Sequence, residues 1–274
     1  MVTRRSILAA AGGLAALIAP TAATAQPAPT HQPTVGQEGK DVVWVPSPNA
    51  LVERMLDMAG VTPADRVIDL GSGDGRTVIA AARRGAKALG IEYEPSLVDL
   101  SIQNAAEAGV SDRASFIKAD LFEADLSQAS VITMFLLPGI NMRLRPKILD
   151  MRPGTRIVSN TFTMEDWVPD QTAQVPASEC TSYCRALFWV VPAKVAGTWR
   201  FGDGELTLEQ KFQMVSGSLR SGAVVHPITN GRLRGEEITF TAGGRRFTGR
   251  VNGDVLEGTT GSGASRTAWR AVRA

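Results

Sequence analysis

The chain has 274 residues, 44% hydrophobic and 20% charged, with 29 Lys and Arg against 27 Asp and Glu. This composition excludes a disordered tail, a collagen-like fibre and a low-complexity linker, and the length allows one large domain or two smaller ones. Arg4 and Arg5 account for the whole positive excess; beyond them, residues 26 to 192 carry 15 basic against 20 acidic side chains and residues 193 to 274 carry 12 against 7. Such an asymmetry describes two modules that attract each other or meet different partners, and the lack of a single basic patch argues against nucleic-acid binding.

The start of the chain is built like an address. Arg4 and Arg5 precede an apolar run from Ile7 to Ala19, and Ala23-Thr24-Ala25 before Gln26 has the form of a cleavage site. The run is too short for a spanning helix, which needs about 20 residues, and no span is expected in the rest of the chain. "TRRSIL" resembles the twin-arginine export signal of bacteria, which implies an exported protein, periplasmic or envelope-associated, with a cytoplasmic pool if export is inefficient. Residues 26 to 40, "QPAPTHQPTVGQEGK", are expected to be a flexible tether. His31 and His226 stand far apart and Cys180 and Cys184 are the only cysteines, so no metal site is expected. Four residues of extended strand reach about 13 Å, beyond a disulfide, so two separate thiols are expected unless "CTSYC" is a helical turn or a tight loop.

From residue 49 the pattern becomes regular. "NALVERMLDMAG" reads as a helix with Asn49 as N-cap and Gly60 as stop. "RVIDL" is a strand, "TVIAAARRG" a helix, "KALGIE" a strand and "PSLVDLSIQNAAEAG" a helix. "ASFIKAD" and "SVITMFL" are strands, "NMRLRPKILDM" a helix and "TRIVSNTF" a strand. Alternation of this kind predicts an α/β fold with a mostly parallel sheet, covered on both faces, over residues 41 to 192. Ligands of such sheets bind beyond the carboxyl ends of the strands.

The glycine loop lies at that place. Asp69 ends the first strand, and Gly71, Ser72, Gly73, Asp74 and Gly75 follow, so bare backbone and a helix N-terminus face the same space. A dinucleotide site would want a third glycine at position 76, where Arg76 stands. Glu92, followed by Tyr93, ends the second strand, where its carboxylate would accept both hydroxyls of a ribose. Asp120 ends the third, placed for the amine of an adenine with Leu121 packing on the ring.

Three acids in register around a GxGxG loop resemble the class I S-adenosylmethionine-dependent methyltransferases, with their Rossmann-like core. "VPSPNALVERML", the glycine-loop stretch from Val67 to Ser101, and "VSNTFTMEDWVPD" are similar to the lysine methyltransferase family that modifies the c-subunit of ATP synthase and to its bacterial relatives. The resemblance implies S-adenosyl-L-methionine as cofactor, held by Asp69, Gly71, Ser72, Gly73, Asp74, Gly75, Glu92, Tyr93, Asp120 and Leu121. It also implies a protein substrate that bears a lysine or other amine and sits in or near a membrane. "SVITMFLLPGIN" departs from the NPPY-type motif of many amino methyltransferases, which leaves the acceptor open. Ser47, Leu137, Pro138, Asn160, Phe162 and Trp167 are expected to rim the substrate pocket, and no residue stands out as a general base. The same features would also serve a non-catalytic nucleoside- or small-ligand-binding protein of the cell envelope.

Beyond Pro192 the pattern is of strands broken by Asp203-Gly204, Asn230-Gly231, Gly243-Gly244 and Asn252-Gly253, which are hairpin signals. Residues 193 to 274 are expected to form an antiparallel β module, a sandwich or an open barrel.

Overall fold

The computed structural model describes residues 32–261 and 266–274; the export-signal segment and residues 26–31 of the tether lie outside the described residues. Helix α1 (Asn49–Met58) buries Leu51, Val52, Met55 and Leu56 on one face. It starts after Pro48, and no side chain caps it, so Asn49 is its first residue and not its N-cap. Five parallel strands follow: β1 (Arg66–Leu70), β2 (Lys87–Glu92), β3 (Ala114–Lys118), β4 (Val131–Met134) and β5 (Arg156–Asn160). Between them run α2 (Arg76–Arg83), α3 (Pro95–Glu107) and α4 (Pro138–Leu149).

Two further strands, β6 (Gln171–Gln174) and β7 (Arg185–Val190), complete a seven-stranded sheet of order β3-β2-β1-β4-β5-β7-β6. Strand β7 runs antiparallel to both neighbours. Helices α1 to α3 cover one face and α4 the other. Along β1, Val67 joins the first core while Ile68 and Leu70 join the second, as side chains that alternate across a strand must. The strand order reverses at β1, with β2 on one side and β4 on the other, which opens a crevice at their carboxyl ends.

The C-terminal module comprises β8 (Gly197–Phe201), β9 (Gly204–Lys211), β10 (Met214–Ser221), β11 (Val224–Pro227), β12 (Thr229–Arg234), β13 (Glu237–Ala242), β14 (Arg245–Asn252), β15 (Val255–Thr260) and β16 (Thr267–Arg273). Strand β16 pairs with β8, and β9 pairs with both β8 and β10, so eight strands close on themselves with β11 appended to β10. The module is a closed antiparallel barrel, neither the sandwich nor the open barrel expected. Its interior is filled, with Phe240 stacked on Phe247 at 4.8 Å and Trp269 edge-on to both. Asn230-Gly231 is not a hairpin turn; it lies inside β12, where the register with β13 shifts in a bulge.

The barrel is held to the sheet domain by pairs of opposite sign. Asp150, Asp166 and Asp170 of the first module meet Lys194, Lys211 and Arg232 of the second. Trp167 stacks on Phe212 at 5.9 Å, and Gln213 Nε2 donates to the carbonyl of Val168 at 2.7 Å. Among the described residues no helix is long and apolar enough to cross a membrane.

Candidate active site

The glycine loop takes a path that side chains would block. Gly71, Gly73 and Gly75 have φ of 74°, 55° and 82°, the left-handed region that favours glycine. A Cβ on Gly73 would come within 2.7 Å of the Trp44 indole nitrogen. The chain then enters α2, whose first residues, Arg76 and Thr77, line the cleft.

Asp69 is buried beneath this loop, and its Oδ1 accepts a 2.6 Å hydrogen bond from the Thr133 hydroxyl. Burial pushes its carboxyl up to about 7, with Glu92 and Asp74 adding repulsion while the Thr133 and Thr77 hydroxyls oppose the rise. Glu92 is gripped by backbone: Oε2 accepts from Gly73 N–H at 2.9 Å, and Oε1 from the N–H groups of Tyr93 and Glu94 at 2.8 and 3.0 Å. A carboxylate has about four lone-pair sites. Three are taken, so Glu92 keeps room for one hydroxyl where the sequence suggested two. Its second task is to brace the glycine loop.

Asp120 stands two residues past β3. Its Oδ1 accepts from Phe122 N–H at 2.9 Å and its Oδ2 from Lys40 Nζ at 2.5 Å. The Lys40 hydrogen bond, with that from Phe122, holds the Asp120 carboxyl below its ordinary value. Lys40 also lies 4.4 Å from the centre of the Tyr93 ring.

Lys40 corrects the expected tether. Gly36 N–H donates to the carbonyl of Trp44 and Trp44 N–H to that of Gln37, and the stretch from Gln37 to Ser47 lines the cleft. Arg76 fixes the end of this strap: it binds the carbonyl of Ser47 at 2.9 Å while its Nε and Nη2 grip Asp74. A lysine, a tryptophan and an arginine therefore shape a strap that a Pro- and Gly-rich composition concealed.

At the carboxyl ends of β4 and β5 the cleft changes character. Phe135, Leu136 and Ile140 line it beside Ser47. Asn160 is fully buried; its Nδ2 donates to Ser47 Oγ at 3.0 Å while its Oδ1 has no partner. The hydroxyls of Ser72 and Thr161 are also buried without partners, and Thr161 has φ of 58°.

Of the expected rim residues, Ser47 lines the cleft, Asn160 is bonded to it, and Phe162 packs on Phe135 with ring centres 5.9 Å apart. Leu137, which precedes α4, and Pro138, which begins it, lie outside the lining. Trp167 does not rim the cleft: it is fully buried in the second core, between Trp189 and Phe212. Cys180 and Cys184 are not separate thiols. They form a disulfide with Cα atoms 5.7 Å apart, because "CTSYC" turns back tightly instead of running as a strand.

A mostly parallel sheet with a reversed strand order, a GxGxG loop and an acid at or just past the end of each of the first three strands defines a class I methyltransferase that uses S-adenosylmethionine. Residues 69–171 match the family described as ANTKMT methyltransferase domain. A protein-lysine N-methyltransferase of Saccharolobus islandicus is 42% identical over 137 residues, 49% of this chain and 85% of that protein. The lysine N-methyltransferase of Mus musculus that is named for the ATP synthase c-subunit is 36% identical over 130 residues, 47% of this chain and 52% of the mouse protein. The crystal structure of an RNA methyltransferase from Salinibacter ruber, in complex with S-adenosyl-L-homocysteine, superposes with a TM-score of 0.52 at 45% identity, covering 55% of this chain and 96% of that one. The chain belongs to the methyltransferase family that the Saccharolobus protein represents.

The residues present fit the cofactor. The unpartnered Ser72 hydroxyl, the bare glycine backbone and the free lone pair of Glu92 are hydrogen-bonding capacity that the protein itself leaves unused.

Proposed function

We propose that this protein transfers the methyl group of S-adenosylmethionine to the side-chain amine of a lysine in a protein substrate. The bound cofactor supplies an electrophilic methyl carbon next to a positive sulfur. Asp69, Glu92 and the glycine loop hold the polar parts of the cofactor, and Asp120, Tyr93 and Leu121 flank its adenine. The observation that carries the lysine reading is the buried Asn160 Oδ1, an acceptor without a donor beside the cleft-lining Ser47. An amine N–H satisfies that oxygen, which orients the nitrogen lone pair and removes an unpaired polar group. The Saccharolobus and mouse relatives, both named as lysine methyltransferases, support the same acceptor. No carboxylate or histidine is required to take the proton, since the ammonium loses it to water as the amine passes inward to the aliphatic Leu136 and Ile140, which disfavour the charged form.

A second reading, an RNA acceptor, has the likeness to the Salinibacter RNA methyltransferase in its favour. Against it stands the net negative charge of residues 26 to 192, which repels a phosphate backbone. Incubation with labelled S-adenosylmethionine and separate protein, membrane and RNA fractions decides between them. Methyllysine in hydrolysed product is the expected result; label in nuclease-sensitive material would overturn it.

We further propose that the chain acts outside the cytoplasm on a protein at or near the membrane. Its support is the signal-like first 25 residues together with the Cys180–Cys184 disulfide, a bond of oxidising compartments. Fractionation of cells tests this proposal: processed, disulfide-bonded protein in the periplasm is expected, and an exclusively cytoplasmic, unprocessed pool would sink it.

A further inference from the structure

Three aromatic rings meet where the cleft opens past β4 and β5. Phe135 lines the cleft itself. Its ring stacks with that of Phe162 at 5.9 Å and 16°, and the Tyr183 ring stands edge-on to it at 5.0 Å; Tyr183 and Phe162 are 6.1 Å apart. Tyr183 belongs to neither β4 nor β5. It comes from the short loop closed by the Cys180–Cys184 disulfide, it is 41% exposed, and its φ is 54°. Thr161, which joins Asn160 to Phe162, also has a positive φ. Two non-glycine residues at one cluster are thus held in left-handed conformations, a strain that the surrounding structure must sustain. Packing alone does not require it, since a tyrosine that is two-fifths exposed contributes little to a core.

We infer that Phe135, Phe162 and Tyr183 form a subsite for a cationic amine head, the ammonium or methylated ammonium of the acceptor, with the disulfide loop as its outer wall. This inference rests on the lysine reading. Aromatic faces attract a cation that has shed water, and they hold a methylated ammonium as well as a bare one. They offer no hydrogen bonds, so the unpaired Asn160 Oδ1, two residues before Phe162, is the group that orients the nitrogen. The rings touch one another in the present arrangement, and Tyr183, the exposed one, is the ring that moves aside when a head group enters. The disulfide keeps that movement local by pinning the loop on both sides of the tyrosine.

The experiment uses two probes, N-acetyl-Nε-trimethyllysine amide and its neutral analogue with a tert-butyl group in place of the trimethylammonium. Each is titrated into the protein saturated with S-adenosylhomocysteine and followed by NMR. The expected result is that the cation binds about five- to tenfold more tightly than the neutral probe, the scale of one cation–π contact. Tyr183→Ala should erase most of that preference, Tyr183→Phe should restore it, and Cys184→Ser should weaken it in part, with S-adenosylhomocysteine affinity unchanged in all three. Equal binding of the two probes by the parent protein, no binding of the cation, or a preference that survives Tyr183→Ala would overturn the subsite. The lysine reading fails on different grounds. A methylated product whose label is not on an amine sinks that reading whatever the titration gives, and charge-blind binding sinks the subsite even if methyllysine is the product.

Discussion

The two modules of this chain solve the problem of buried polarity in opposite ways. In the sheet domain, Ser72, Asn141, Asn160, Thr161 and Trp167 each keep a buried polar side-chain atom without a partner, and among the described residues the barrel has none. An unpaired buried donor or acceptor costs about 1–3 kcal/mol, so a fold keeps several only where something else satisfies them. Four of the five lie in the glycine loop, at the end of β5 or on α4 near it. The barrel, by contrast, pairs its strands around a closed ring and fills its interior with Phe240, Phe247 and Trp269. The contrast places the unsatisfied hydrogen-bonding capacity in the first module and leaves the second a filled barrel with its buried polar side chains paired among the described residues.

Removing the heart of the barrel is the strongest way to break that contrast. Phe240 is 1% exposed, and Phe240→Ala should cost about 3–5 kcal/mol of stability in urea unfolding. Affinity for S-adenosylhomocysteine, read by calorimetry on the folded fraction, should stay within about twofold of the parent if the barrel takes no part in the site. A loss of affinity tracking the loss of stability would show that the two modules act as one.

Asp69 gives the next effect, and its sign is fixed by the direction of the shift. The folded carboxyl keeps its proton up to about pH 7, while its ordinary value is 3.8. Between those limits the folded state binds the extra proton, so stability is full below the lower value and falls as pH rises through the window. The loss is on the order of 4 kcal/mol. Asp69→Asn should flatten the stability profile across that window, as measured by urea midpoints; an unchanged profile would place the titration elsewhere. Binding of the positively charged cofactor should strengthen over the same window, because the ionised carboxylate faces the cleft.

Glu92→Ala follows, with an expected loss of about 1–3 kcal/mol in cofactor binding. Because Glu92 also accepts Gly73 N–H, part of the loss comes from the loop. Urea unfolding of Glu92→Ala without cofactor separates the two: an unchanged midpoint assigns the binding loss to the ligand contact, and a lowered one assigns part of it to the loop.

What could be read from the sequence follows the same division. The acids at positions 69, 92 and 120 and the glycine loop were legible because strand periodicity places each residue at a strand end, which is a local property. Lys40, Trp44 and Arg76 were not, since a strap gains its shape from partners as distant as Asp120. Tyr183 was hidden because residues 180 to 184 read as extended; the repeated cysteine was the only signal of a tight loop. Trp167 looked like a rim residue because a tryptophan after a strand often is, but its ring is claimed by Phe212 from the other module. Closure of the barrel depends on β9 pairing with strands on both sides, a curvature that hairpin signals do not specify.

The smallest effects belong to the join between the modules, and they test whether its charge asymmetry matters. Asp170 has a side chain only 6% exposed, it accepts Val190 N–H at 2.9 Å, and Arg232 is its sole charged partner among the described residues. Lys194 and Asp150 are 73% and 71% exposed. An exposed pair contributes about 0–1 kcal/mol and is screened by salt, whereas a buried carboxylate stripped of its partner keeps its desolvation cost. Arg232→Met should therefore destabilise by about 1–2 kcal/mol with little dependence on ionic strength, and Lys194→Met by a few tenths at most, vanishing in about 0.5 M salt. Equal and salt-sensitive losses would mean that the opposite charges of the two modules attract through solvent as diffuse fields. Unequal losses would locate the join at one buried aspartate, and the net charges of the modules would then be incidental to how they are held together.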